Sequence, residues 1–180
     1  TFVLTTTLRA LEGVAEAPRA LTHRLGTEVE VLTQGPERRR ALLQQYGDGR
    51  GRVLVGSHSF WEGIDMPGDA LQCVLIDKLP FPPPNDPLVE ARVKQLQSQG
   101  RNAFDEVHVA EAAVSLKQGA GRLIRSETDQ GLLVVCDPRL RQMAYGRRLL
   151  AALPPMGVLD DEAQALDWLG LLASMHDAGA

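Results

Sequence analysis

Short apolar runs rich in β-branched residues alternate with helical patterns from one end of this chain almost to the other. That alternation restricts the fold to a mostly parallel sheet with helices on both of its faces. Strands are expected over residues 2–6, 29–32, 52–56, 73–79 and 131–137, and helices over 8–17, 36–46, 86–99 and 109–125. Pro36 suits a first helical turn, where its missing N–H costs nothing, and Asp86 before Pro87 reads as an N-cap followed by proline at the first helical position. Strands buried on both faces should be apolar throughout, as Val53-Leu54-Val55 and Leu132-Leu133-Val134-Val135 are. In such sheets ligands bind beyond the carboxyl ends of the strands. The segments to inspect are therefore 5–7, 56–65, 77–84 and 137–139.

At 180 residues and 44% hydrophobic content, the chain can bury one real core. One α/β domain is expected over 1–153. After Pro154-Pro155 a tail follows, 154–180, whose amphipathic helix carries Leu166, Trp168, Leu169 and Leu172 on an acidic background. A strand that begins at the first residue gives the expectation of a segment cut from a longer protein. No apolar run approaches the roughly 18 residues a spanning helix needs, so a soluble, cytoplasmic protein without membrane contact is expected. Cys73 and Cys136 lie far apart in apolar runs and are expected as two reduced, buried thiols, and the four histidines are scattered. No metal site is expected within the chain. A net charge of −4 argues against a stand-alone nucleic-acid binder, while leaving room for a local basic strip.

The last helix of the expected domain carries an unusual polar face. At about 100° per residue, with Gln118 at zero, Arg122 falls near 40° and Arg125 near 340°, while Ala112, Ala113, Leu116, Ala120, Leu123 and Ile124 fall opposite. Gly119 and Gly121 flank the polar face at about 1 kcal/mol each relative to alanine. Two guanidinium forks beside an amide form a surface suited to phosphate oxygens. The plainer alternative is that both arginines are solvated or pair with Glu127 and Asp129.

The loop from Ser57 to Gly68 follows the third strand directly and compresses Ser57, Ser59, Glu62, Asp65, Gly63 and Gly68 around Phe60 and Trp61. Serine hydroxyls and loop N–H groups commonly hold nucleic-acid phosphates. For the two aromatics, packing beneath the loop is favoured over base stacking, and Asp65 before Met66-Pro67-Gly68 also fits a turn cap. The proline run Pro80-Phe81-Pro82-Pro83-Pro84 reads as a stiff connection.

Taken in order, Ser59-Phe60-Trp61-Glu62-Gly63-Ile64-Asp65 and Gln118-Gly119-Ala120-Gly121-Arg122-Leu123-Ile124-Arg125 resemble motifs V and VI of the XPD/DinG superfamily 2 DNA helicases, which are iron–sulfur enzymes. Thr5-Thr6-Thr7 after the first strand resembles motif IV, and the likeness runs to about residue 153, nearest the DinG/YoaA branch. The resemblance implies a RecA-like three-layer αβα domain, the second lobe of an ATP-driven motor that moves 5′ to 3′ on single-stranded DNA. By the match, Arg125 is the arginine finger, with Arg122 and Gln118 facing the γ-phosphate. Gly63, Asp65 and Glu62 line the nucleotide, and Thr5, Thr6, Ser57 and Ser59 touch DNA phosphates. ATP and Mg²⁺ are shared with a missing N-terminal helicase domain, because no G-x-x-x-x-G-K-[ST] loop or D-E-x-H stretch is present here. The family's 4Fe-4S cluster belongs to the parent protein, since its four cysteines have no counterpart in this chain. The resemblance also implies an alternative role as a docking module. In it, Leu166, Trp168, Leu169 and Leu172 meet a partner such as the chi subunit of DNA polymerase III, with which YoaA-like members associate.

Overall fold

The computed structural model of the chain describes residues 1–26, 28–35, 39–48, 51–57, 60, 71–124 and 129–178. Its framework is a sheet of five strands, β1 Phe2–Thr5, β2 Glu30–Thr33, β3 Arg52–Ser57, β4 Cys73–Ile76 and β5 Leu132–Val135, in the spatial order β2-β3-β1-β4-β5. All four pairings are parallel, with Thr5 beside Ser57 and Ile76 beside Val135. Every strand therefore ends at the same edge, which gathers the chain's loops where ligands bind such sheets.

Period-two alternation sorts the strand side chains into two cores. Phe2, Leu4, Leu32, Leu54, Val74 and Ile76 form one face, packed with Leu42 and Tyr46 of helix α2 (Arg39–Gly47), and with Ala112, Leu116 and Leu123 of α4 (Ala110–Leu123). Val3 and Val55, with Val31, Val53 and Leu75, form the opposite face under Leu11, Val14 and Ala15 of α1 (Leu8–Leu25). Leu116 is fully enclosed, so Leu116→Ala carries the usual core cost of about 2–5 kcal/mol. Helix α3 (Pro87–Ser98) begins as its sequence dictates: Asp86 accepts hydrogen bonds from the Leu88 and Val89 N–H groups, and Pro87 takes the first position.

Several elements differ from expectation for identifiable reasons. Helix α1 runs through Pro18 to Leu25 instead of stopping at 17. Its later turns are tied by Thr22 donating to the Arg19 carbonyl and by Arg19 reaching Thr33, and Gly26 ends it with φ of 61°. Strand β4 stops at Ile76, because the Leu79 N–H is diverted to Asp137 and the prolines that follow have no N–H to give. A π-helical turn, Phe104–Val109, leads into α4 without a break. Two short helices, α5 (Arg139–Gln142) and α6 (Gly146–Ala152), follow β5. The expectation of two buried thiols holds for Cys73 alone; Cys136 sits one residue past the end of β5 and is exposed.

The tail forms α7, Glu162–Ala178, in contact with β5. Leu172 is buried, Trp168 and Leu169 are half-buried, and Leu166 is 59% exposed. No helix among the described residues is long and apolar enough to cross a membrane.

Candidate functional site

The carboxyl edge of the sheet is built from side chains that the parallel register brings into line. Thr5, at the end of β1, is buried, and its hydroxyl donates to the Thr7 carbonyl at 3.0 Å and toward the Gly56 carbonyl at 3.5 Å. Thr6 is half-buried, and Thr7 caps α1 by accepting from the Ala10 N–H. Ser57, at the end of β3, is also buried; both its N–H and its hydroxyl donate to Gln34 Oε1 at 2.8 Å. Gln34 thus fixes where the loop after β3 departs, a role nothing in its sequence context announced. Ser59, Glu62, Gly63 and Asp65 lie outside the described residues, as do Trp61 and Arg125.

Phe60 is part of the main core. It is 6% exposed, and its ring packs so closely on the strand that a Cβ at Gly56 would meet it at 3.0 Å. Arg39 of α2 stands over the ring at 5.3 Å and donates to the Phe60 carbonyl. The expected core packing of this aromatic is what is observed.

Helix α4 divides as its phase requires. Ala112, Leu116, Ala120 and Leu123 are buried against the sheet, with Ala113 and Ile124 partly so. On the other side Gln118 is exposed and Arg122 is half-buried. Arg122 has no ion pair among the described residues, and its Nε is sealed from water without a hydrogen-bond partner. A buried donor left in that state costs about 1–3 kcal/mol. The guanidinium is therefore held by packing, and no carboxylate among the described residues pairs with it. Beside it, a side chain at Gly121 would meet nothing within 4 Å. A fixed, uncompensated cation next to open space is chemically suited to an anionic group such as a phosphate.

At the β4–β5 end the edge is locked by an ionic clamp. Asp137 is buried; it accepts from the Leu79 N–H at 3.0 Å and the Arg139 N–H at 3.0 Å, and it receives Arg139 Nη2 at 2.6 Å and Nε at 2.9 Å. The Arg139 hydrogen bonds, helped by the two backbone N–H groups and opposed by burial, hold its carboxyl down at about 2. A depressed carboxyl stabilises the fold fully above its ordinary value near 3.8, and that contribution is lost as pH falls through about 2. Denaturant midpoints of wild type and Asp137→Asn should accordingly differ most above pH 5, by about 1–3 kcal/mol, and converge toward pH 2. A gap that stayed constant across this range would refute the clamp.

The aromatic side chains nearby were not singled out from the sequence as a group. Phe81, Phe104, His108 and Tyr145 form a continuous cluster with centroid separations of 5.6–5.9 Å, and Arg139 lies over Phe81 at 5.4 Å. Their separation along the chain hides the grouping, which depends on the π-helical turn and α6 meeting the loop after β4. Among the described residues no three His, Cys, Asp or Glu side chains converge on a common point.

Comparison with known proteins places this geometry in context. The family described as Helicase C-terminal domain matches residues 1–156. The ATP-dependent DNA helicase YoaA of Escherichia coli is 43% identical over 173 residues, 96% of this chain and 26% of that protein. The ATP-dependent helicase DinG of Mycobacterium tuberculosis is 41% identical over 155 residues, 86% of this chain and 23% of that protein. The chain thus spans about a quarter of the length of these relatives. Among solved structures, one titled XPD helicase superposes with a TM-score of 0.59 at 16% identity, covering 87% of this chain and 28% of the other. A second, Xpd4 of S. tokodaii, superposes with a TM-score of 0.53 at 19% identity, covering 87% and 30%. The sheet and its helical layers are the RecA-like fold.

Proposed function

This chain belongs to the helicase C-terminal domain family of XPD/DinG-type helicases, and from that membership we propose that it is the second motor lobe of an ATP-dependent DNA helicase. In this reading it closes over ATP held by an N-terminal helicase domain and forms part of the track for single-stranded DNA. The observation that carries the proposal is the Arg122 guanidinium, half-buried, without an ion pair among the described residues, beside the open space at Gly121.

Arg125 is the finger that stabilises charge on the transferring phosphoryl group, while Arg122 and Gln118 hold its oxygens from the same helical face. Glu62, Gly63 and Asp65 line the nucleotide from the loop after β3. Mg²⁺, when bound, neutralises charge on the phosphates, and its ligands and the phosphate loop belong to the other lobe. The 4Fe-4S cluster likewise belongs to the complete protein outside this chain.

Along the DNA track, Thr6 and Ser59 meet phosphates from the sheet edge. Thr5 and Ser57 do so by turning their hydroxyls away from the Thr7 carbonyl and Gln34. Translocation runs 5′ to 3′, and the protein works in the cytoplasm. Strand displacement by the complete protein tests this directly: duplexes with a 5′ single-stranded tail should be unwound with ATP, and those with only a 3′ tail should not. Equal unwinding from both ends would reject the polarity.

A second reading draws on α7, where Leu166, Leu171 and Met175 are each more than half exposed while Leu172 anchors the helix. These side chains, with Trp168 and Leu169 at the margin, are the surface for a replication partner, the chi subunit of DNA polymerase III. Removing residues 156–180 should then abolish chi retention in a pull-down. Unchanged retention would exclude the helix.

A further inference from the structure

The aromatic cluster at the β4–β5 end is more than core. Phe81 and Tyr145 pack on the main core, but Phe104 stands out from it at 46% exposure, with Met143 beyond at 47%. Phe104 and His108 stack on one another, with ring planes 29° apart, along one face of the π-helical turn. Such turns insert an extra residue into a helix at a cost in hydrogen-bond geometry and concentrate at functional sites. The cluster is also fixed in place, since the clamp of Asp137 and Arg139 ties the Phe81 loop to the end of β5.

The surrounding charge is equally distinctive. Arg139, Arg141, Arg147 and Arg148 fall within ten residues, and no acidic residue occurs from 138 to 159, in a chain whose net charge is −4. Three nearby carboxylates are already paired: Asp137 with Arg139, Asp105 with Arg148 and Glu106 with Arg101. Arg141 and Arg147 are exposed and make no ion pair among the described residues. An exposed ring, with exposed arginines on the two short helices that carry its neighbour Tyr145 and the paired Arg139, has two of the features that bind unpaired nucleotides, a face for the base and cations for the phosphates.

We propose that Phe104, backed by His108, Phe81 and Tyr145, is a stacking platform for a base of the single-stranded DNA, and that Arg141 and Arg147 hold its flanking phosphates. This rests on the reading of the chain as a DNA motor lobe and adds to it a contact that turns on the base. The platform is indifferent to sequence, because every base has a π-face.

The test is binding of fluorescent oligothymidylate by the complete protein, alongside an oligomer of the same length made entirely of abasic sites. Phe104→Ala should weaken oligothymidylate binding about 10–100-fold, Phe104→Trp should restore it, and binding of the abasic oligomer should be the same for all three proteins. Arg141→Ala with Arg147→Ala should weaken both oligomers and flatten the logarithmic salt dependence by about 1.4. If wild type binds oligothymidylate and Phe104→Ala binds it equally well, or loses the abasic oligomer in parallel, the platform is overturned and the motor reading stands. If wild type binds neither oligomer, both fall together. Phe104→Leu, which keeps an apolar side chain without a π-face, should behave as the alanine variant; full binding by the leucine variant would assign the site to simple apolar packing and overturn stacking.

Discussion

Arg125→Ala in the complete protein should lower DNA-stimulated ATP hydrolysis by about 10³-fold or more, and Arg122→Ala should produce a comparable loss. A factor of 10³ corresponds to about 4 kcal/mol of transition-state stabilisation, the scale of a fixed positive charge acting in a water-excluded cleft. Arg122 illustrates why the loss should fall on turnover instead of stability. It makes no ion pair among the described residues, and its Nε already lacks a partner, so truncation breaks no ion pair with them. Melting temperature and oligonucleotide affinity should therefore remain close to wild type while steady-state turnover collapses. Lysine should not rescue at either position, because a point charge cannot reproduce the two-pronged geometry of guanidinium toward phosphate oxygens. Near-normal turnover with Arg125→Ala would contradict the assignment of this helix.

Much of this arrangement was legible because it depends on local periodicity. The strand positions follow from short apolar runs, and the division of α4 into a sheet face and a polar face follows from 3.6-residue spacing, as the burial of Leu116, Ala120 and Leu123 confirms. Asp86 and Pro87 announced the start of α3 for a reason confined to four residues. What escaped depends on contacts between distant segments. Gln34 and Ser57 are 23 residues apart, and Leu79 and Asp137 are 58 apart, so neither pairing leaves a periodic trace. The aromatic cluster draws on residues 81, 104, 108 and 145 from three separate segments, so no single local period marks it. Cys136 is exposed because the strand expected over 131–137 ends two residues early, at Val135. The tail forms a helix in contact with β5, and periodicity alone could not tell which of its apolar side chains are covered; Leu172 is and Leu166 is not.

Gly146→Ala should destabilise the domain by about 3 kcal/mol or more, the largest effect expected of any single methyl group added here. Gly146 is buried at the start of α6, where its N–H donates to the Met143 carbonyl at 2.9 Å. A Cβ at this position would lie 1.9 Å from the Leu140 carbonyl oxygen and 2.7 Å from its carbon. Overpacking ordinarily costs about 1–3 kcal/mol because side chains can turn aside, but here the obstacle is the backbone of α5, which must move as a unit. Displacing it would also disturb Leu149, fully buried in the main core, and Tyr145, which backs the aromatic cluster. Gly13→Ala is the matched control: it lies in α1 with nothing within 4 Å of the added carbon, and should stabilise by up to about 1 kcal/mol through helix propensity. Chemical denaturation of the two variants separates the causes. Opposite signs would locate the effect in the α5–α6 contact, whereas a near-neutral Gly146→Ala would mean that the two helices are not held this close.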